Sequence, residues 1–295
     1  MNCILRLVAI VLVAALFSIR WSAEAEAQNN TFSFVSHSGS DGNACNAPSV
    51  PCLSIGGALS KTLDGGVITC LDAAYFGIAV ITISVTIDCA AGGGGDNVQE
   101  IVINAPSKTV ALRDLGVNGF GVNTVLIDII AASNVYLENV FVSHNSQGLP
   151  GIRDRRAGPA VLTIKNSSVT SVSGVGILVA PASGIIGADL DGVASTNSLF
   201  GVAVGSGGRV MIKNSVFSGN NVAGIEGDGG STVDINTSQI SFNSTGIESS
   251  GNITLSASGI LSNSTAISGP TLSYGNNRIV ANSVAGATPT VIPTQ

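Results

Sequence analysis

The chain has 295 residues and a formal net charge of −6, and only 10% of its residues are charged. A low charge content with many β-branched residues excludes an intrinsically disordered chain and is typical of a β-rich structure. The acidic balance opposes nucleic-acid binding, so we expect no nucleic acid among the partners.

Residues 1–27 are predicted to be a signal peptide. Arg6 precedes an apolar run from Leu7 to Phe17, and the segment ends on the small-x-small cleavage pattern of residues 25–27. The apolar run is shorter than the roughly 20 residues that a spanning helix needs, so no membrane span is expected after cleavage. The mature chain would then start near Gln28 and be secreted or periplasmic. The alternative is an uncleaved N-terminal anchor.

Residues 28–65 are predicted to form an N-terminal strand, a disulfide loop and a short capping helix. Ser54 is a suitable N-cap, and Ile55, Ala58, Leu59 and Leu63 share one face of a helix over residues 54–63. Two glycines at 65 and 66 end it. We expect this helix to cover the open N-terminal end of the domain that follows.

Apolar residues alternate with polar ones from Ile81 to Cys89, which predicts one strand with a single buried face. The segment 67–70 aligns with 86–89, so Cys70 and Cys89 are expected to face inward in adjacent coils, within the distance that a disulfide spans. Cys45 and Cys52 are close together in a proline-containing loop. An exported chain with these four cysteines is expected to form two disulfides, Cys45–Cys52 and Cys70–Cys89.

From about residue 109 the chain repeats itself every 19 to 27 residues. Two residues after each anchor, six of eight positions are Asn, Asp or Gly, which tolerate left-handed backbone. Five residues after each anchor, seven of eight positions are apolar, and apolar residues recur near thirteen after. Eight residues after it, Asn occurs in five repeats, at 145, 220, 243, 263 and 282. The anchors are Leu112, Leu137, Ile164, Leu190, Ile212, Ile235, Leu255 and Tyr274.

This pattern predicts an all-β solenoid in which short strands stack coil upon coil. A single coil cannot bury its apolar side, but stacked coils can, and equivalent Asn side chains can then bond to one another. No 3.6-residue apolar stripe supports helical repeats, and a β-propeller blade needs about 40 residues. We expect about ten coils over residues 66–285 and an irregular tail over residues 286–295.

The N-terminal region resembles a recurring opening of secreted right-handed parallel β-helix repeat proteins of the pectate-lyase-like superfamily. The stretches that carry the resemblance are residues 34–43, 51–55, 57–59 and 65–68: an aromatic-Val strand, a Gly-Ser-Asp loop, a Pro before the capping helix and a Gly-Gly turn. Residues 71–77 are similar to small proteobacterial members of unknown activity with two cysteine pairs. The resemblance implies a right-handed parallel β-helix. Many members are polysaccharide lyases, hydrolases or epimerases, and others have no known reaction.

The candidate catalytic residues are Glu226, Asp228 and Glu248. Glu226 and Glu248 occupy nearly the same offset in neighbouring repeats, so their carboxylates would lie roughly 5 Å apart, near the separation in retaining glycosidases. The alternative is two exposed carboxylates that turn apart in water. No Lys or His accompanies them at a matching offset, so hydrolysis or cation binding is favoured over a lyase reaction.

The candidate ligand-binding residues are Arg153, Arg155 and Arg156, which lie between two prolines in the longest repeat. We interpret this basic cluster as an excursion from the stack that contacts acidic sugar or phosphate. The alternative is a solvated loop. His37 and His144 lie far from one another, without Cys or carboxylate at metal-ligand spacing, so no metal and no cofactor is expected.

The sequence therefore predicts a secreted β-helix protein of the cell envelope or exterior. It would be non-catalytic, or would bind polysaccharide, such as a cell-surface glycan, along one long face. The alternative is a carbohydrate-active enzyme, a polysaccharide hydrolase or lyase.

Overall fold

A computed structural model describes residues 29–93, 96–119, 124–145 and 147–293, with residues 96 and 97 described by their backbone alone. The predicted signal peptide, residues 1–27, lies outside the described residues. Within this part of the chain, none of the helices has the length and apolar character needed to cross a membrane.

The molecule contains three parallel sheets. From Val85 to Gly286 each coil contributes one strand to each sheet in the order sheet I, sheet II, sheet III, and the coil before it contributes Thr62–Cys70 to sheet I and Ile78–Ile81 to sheet III. Sheet I contains Asn30–Val35, Thr62–Cys70, Val85–Asp88, Thr109–Arg113, Asn134–Glu138, Ala160–Lys165, Ile186–Asp191, Gly208–Lys213, Thr232–Asn236, Asn252–Ser256, Leu272–Ser273 and Thr290–Val291. Sheet II contains Asp96–Val98, Gly116–Asn118, Phe141–Asn145, Ser168–Val172, Ala194–Thr196, Val216–Ser218, Gln239–Ser241, Gly259–Leu261 and Arg278–Val280. Sheet III contains Ile78–Ile81, Glu100–Asn104, Ile127–Ala131, Ile152–Asp154, Val175–Val179, Phe200–Val204, Ala223–Gly227, Thr245–Ser249, Thr265–Ser268 and Val284–Gly286. The chain makes about nine turns.

The core consists of three inward-facing ladders, one from each sheet. In sheet I, Leu112 pairs with Leu137, and the ladder continues through the predicted anchors to Leu255. In sheet II, Val117 leads a similar ladder that ends at Ile279. In sheet III, the third ladder includes the paired positions from Ile177 to Ile267. Nearly all these side chains are buried, so the predicted offsets are confirmed as core positions.

The corner between sheets I and II is made by one left-handed residue in each coil. The backbone has φ of 46° to 67° at Asp114, Asn139, Asn166, Gly192, Asn214, Thr237 and Ala257, as the residue types two after the anchors indicated. The corner after sheet II uses left-handed backbone as well, at residues 144, 171, 197, 219, 242, 262 and 281. These residues include Phe242 and Ala281, whose types do not indicate left-handed backbone, so this second set was not predicted.

Asparagine side chains form the predicted ladder inside the stack. Asn220 Nδ2 donates to Asn243 Oδ1 (2.9 Å), and the same contact joins Asn243 to Asn263 and Asn263 to Asn282 (3.0 Å each). Each oxygen also accepts the backbone N–H of the preceding Asn in the ladder. Asn145 lies apart from this ladder and donates to the carbonyls of residues 124, 149 and 150.

A serine ladder at the first corner was not predicted. Ser215, Ser238 and Ser258 each donate to the carbonyl oxygen two residues earlier, at 2.7 to 2.8 Å. Each also accepts a backbone N–H from the preceding coil, at 3.0 to 3.2 Å. These hydroxyls satisfy backbone groups that the sharp turn leaves without a sheet partner.

Both predicted disulfides, Cys45–Cys52 and Cys70–Cys89, are confirmed in the N-terminal region. The helix spans only Ile55–Leu59, with Ser54 Oγ accepting from Gly57 N, and Leu63 lies exposed in the next strand. A 3₁₀ turn covers Ala90–Gly92. The prediction of a single strand from Ile81 to Cys89 was wrong. Two strands in different sheets meet at a corner at residues 82–84, and the alternation of apolar and polar residues continues through that corner.

The last coils differ from the predicted register. Leu255 pairs with Ser273, not with Tyr274, and the left-handed residue two positions later is Gly275. One extra residue then brings Ile279 back into line with Ile260. The tail predicted to be irregular contains Thr290–Val291, which extends sheet I. Its prolines lie outside that strand and leave the pairing possible.

Replacing Asn243 by Ala should lower the free energy of unfolding by about 2–4 kcal/mol. The change removes four hydrogen bonds and leaves buried partners unsatisfied in two neighbouring coils. Urea titration of the variant measures the loss. Asn252→Ala, at an exposed strand position, is the control and should change stability little. Equal stability of the two variants would contradict the structural role of the ladder.

Candidate functional site

The charged candidates lie along one outward-facing row of sheet III. Strand pairing aligns Asp128 with Arg153, and the row continues through Leu178 and Ala203 to Glu226 and Glu248. Three coil spacings separate Arg153 from Glu226, which is roughly 14 Å at about 4.8 Å a step. Two groups of opposite charge, which the sequence suggested separately, therefore occupy the same face.

At the basic end of this row, a single carboxylate holds two guanidinium groups. Arg153 donates from Nε and Nη2 to the two oxygens of Asp128 at 3.0 Å each, and Arg155 does the same at 3.1 and 2.9 Å. Both contacts are bidentate, which is the strongest geometry for this pair of groups. Asp128 is nearly buried, whereas the side chains of Arg153 and Arg155 remain 28% and 44% exposed.

The three groups carry a net positive charge. Burial on its own would raise the pKa of Asp128, but the hydrogen bonds and charges of the two arginines outweigh it and lower that pKa. Asp128 therefore stays ionised at neutral pH, and one positive charge is left over. The arrangement suits an anion that approaches from solvent.

Arg156 does not belong to this site, contrary to the prediction. Its side chain is 1% exposed and binds Asp154, itself fully buried, through Nε (2.8 Å) and Nη2 (2.6 Å). Its remaining donors reach the carbonyls of residues 132, 133 and 161. The basic segment is also no excursion, because Ile152–Asp154 is a strand of sheet III. Arg156 therefore fixes the chain between sheets III and I and cannot contact a ligand.

At the acidic end, Glu226 and Glu248 are directly paired residues of adjacent strands, and both side chains are half-buried. Burial, followed by the charges of Asp228 and Glu248, raises the pKa of Glu226. Asp228 is exposed just beyond the strand end. In the part of the chain that the structure describes, none of the three forms an ion pair. The three predicted residues therefore lie close together, and within the described residues no positively charged side chain pairs with them.

Asp128 is the site residue that sequence reasoning missed. It lies within an apolar strand, between Ile127 and Ile129. Asp128 lies opposite Arg153 once its strand is aligned with the strand of the following coil. That alignment was the one feature of the sequence that could have identified Asp128. Asp72, whose pKa is lowered although burial opposes this, accepts from His37 Nδ1 at 2.9 Å and from Ser36 Oγ. No group of three His, Cys, Asp or Glu side chains in the described ranges could hold a metal ion.

Residues 151–290 match the family model described as the right-handed β-helix region. The crystal structure of pectate lyase Pel9A superposes with a TM-score of 0.53 at 12% identity, over 87% of this chain and 78% of that one. The chain is a right-handed parallel β-helix protein. A search of curated proteins finds no match. At 12% identity, the likeness of this β-helix protein to the pectate lyase shows a shared fold alone.

Changing Glu226 to Gln should make the protein more stable at pH 7. A raised pKa in the folded state means that folding disfavours the charged form, so the cost is present above that pKa and disappears as the pH falls through it. Urea titrations at pH 7 and pH 4 should show a stability gain that shrinks on acidification. Glu138→Gln, which removes the partner of Arg113, is the control and should give no gain. A less stable Glu226→Gln variant at pH 7 would contradict the expectation.

Proposed function

We propose that this β-helix protein is secreted and binds acidic polysaccharide at the cell envelope or exterior without cleaving it. The observation that carries the proposal is the pair Arg153 and Arg155, held side by side on an open sheet face by Asp128. The leader-like N-terminus and two disulfides support export, because disulfides persist in oxidising compartments.

The geometry favours a carboxylate ligand. Asp128 occupies Nε and Nη2 of each arginine, so Nη1 of each remains directed away from that contact. Because Asp128 fixes both side chains before binding, little side-chain freedom is lost when a ligand arrives. A uronate residue supplies one carboxylate, which matches the single surplus positive charge. A repeating polymer can continue along the row over Leu178 and Ala203, which carry no charge.

Hexagalacturonate binding, measured by isothermal titration calorimetry, tests the proposal. The double variant Arg153→Gln/Arg155→Gln should bind at least about tenfold more weakly, because truncating charge-assisted contacts costs more than about 1.4 kcal/mol. Arg155→Gln alone should give part of the loss and disturbs the fold less, since this side chain is the more exposed. Arg209→Gln, an exposed arginine on sheet I, is the matched control.

Binding by the wild type should also weaken with added salt, since it depends on exposed charges. Maltohexaose, which has no carboxylate, should bind far less well than hexagalacturonate. Two results would overturn the proposal: no binding of hexagalacturonate by the wild type, or equal binding by the double variant.

A second candidate function is hydrolysis of a polysaccharide at Glu226 and Glu248. The favouring observation is that Glu226, whose pKa is raised, lies opposite a second carboxylate in the adjacent coil. Two carboxyl groups about one coil apart are the groups that a retaining glycosidase requires.

An assay of new reducing ends on a polysaccharide panel separates hydrolysis from binding. If the protein is a hydrolase at this site, Glu226→Gln/Glu248→Gln should abolish the release of reducing ends, while Glu100→Gln, which changes a carboxylate in another strand of sheet III, leaves it unchanged. Unsaturated-sugar absorbance in the same digests would indicate a lyase instead. Activity that survives the double change would exclude these two residues as the catalytic pair.

A further inference from the structure

A second groove lies on the outer face of sheet I, away from the charged row of sheet III. It has a volume of about 380 Å³. Tyr136 projects into it from the middle of its strand, with its side chain 42% exposed. The neighbour of Tyr136 in the preceding coil is Ala111, and the small side chain leaves room beside the ring. An exposed aromatic ring in a depression, rather than on a flat surface, is a feature of ligand sites.

The groove is lined by charges that cancel. Arg113 Nε lies 3.5 Å from Glu138 Oε2, and both side chains are about half exposed. Lys165 follows Glu138 in the next coil, and Asp189 completes the lining. Two positive and two negative groups therefore surround the tyrosine, and the net charge of the lining is zero.

This combination identifies a ligand class different from that of the Arg153–Arg155 site. The groove presents cationic donors and carboxylate acceptors on the rim of one aromatic ring. Sugar hydroxyls both donate and accept, so neighbouring hydroxyls of one ring can use both kinds of group. The apolar face of a pyranose ring can lie against Tyr136. The lining has no net charge, and Asp189 is already paired with Lys213 (3.3 Å), so the groove offers an ionic ligand no overall attraction.

We propose that the Tyr136 groove binds a neutral pyranose unit of a polysaccharide. This site is separate from the acidic-ligand site of the proposed function and uses none of its residues. A protein with both sites can hold an acidic and a neutral saccharide on two of its faces.

Titration with cellohexaose and mannohexaose tests the proposal. The sequence contains one Trp, at position 21 in the predicted signal peptide, and three Tyr. The fluorescence of the mature chain therefore comes from tyrosine, and calorimetry gives the affinity. At least one of the two probes should bind. Tyr136→Ala should weaken that binding at least tenfold, and Tyr136→Phe, which keeps the ring, should largely preserve it.

The controls separate this site from the first. Tyr274→Ala removes another exposed tyrosine, 38% exposed, and should leave the affinity unchanged. Arg153→Gln/Arg155→Gln should also leave the binding of the neutral probe unchanged. Failure of both probes to bind, or equal binding by Tyr136→Ala, would overturn the proposal. Hexagalacturonate binding that persists in Tyr136→Ala would show that the proposed function stands on its own.

Discussion

Every other feature of this molecule depends on the parallel pairing of each strand with the strand one coil away. A coil of about twenty residues has no interior of its own, so its apolar residues are buried only against the coils before and after it. The pairing fixes equivalent positions in line, as the ladder from Leu112 to Leu255 demonstrates. The pairing also brings residues that are one coil apart in the sequence into contact. Asp128 and Arg153 are 25 residues apart, yet they touch. The outer surface is therefore a set of rows of paired positions along the axis.

The same pairing determines how buried polar groups find hydrogen-bond partners. A buried amide needs partners for all its donors and acceptors, and a stack supplies an identical partner at every step. The Asn ladder and the serine ladder satisfy side chain and backbone together. Where the coils are longer, the solution is local. Arg156 meets Asp154 and three carbonyls, so a buried ion pair completes the turn that the longest repeat requires. Removing either partner of such a pair would leave a buried charge without compensation, so the turn depends on both.

Much of the fold could be predicted from the sequence because the repeated features are local in the chain. Anchor spacing, the left-handed residues after the anchors and the alignment of Cys70 with Cys89 all follow from single coils laid beside each other. The failures have physical reasons. The apolar alternation from Ile81 to Cys89 continues through a corner, so polarity could not mark the bend. The final coil has one extra residue, which displaced Tyr274 from the register. Arg156 looked exposed because two of its carbonyl partners, at residues 132 and 133, come from the preceding coil, and no local pattern indicates them.

Charges are arranged differently on the outer faces of sheet I and sheet III. On sheet I, paired positions alternate in sign through Asp88, Arg113, Glu138, Lys165, Asp191 and Lys213. Opposite charges directly across strands stabilise a sheet, and like charges destabilise it. On sheet III, Glu226 faces Glu248, and their neighbours along the row are Ala203 and Ser268. Burial, followed by the charges of Asp228 and Glu248, raises the pKa of Glu226, and neither neighbouring position carries a Lys or Arg that would offset these charges. The same row places two arginines on one aspartate. Sheet I therefore gains stability by pairing opposite charges across strands, whereas sheet III carries the cost of two like charges in the row on which we propose that a ligand binds.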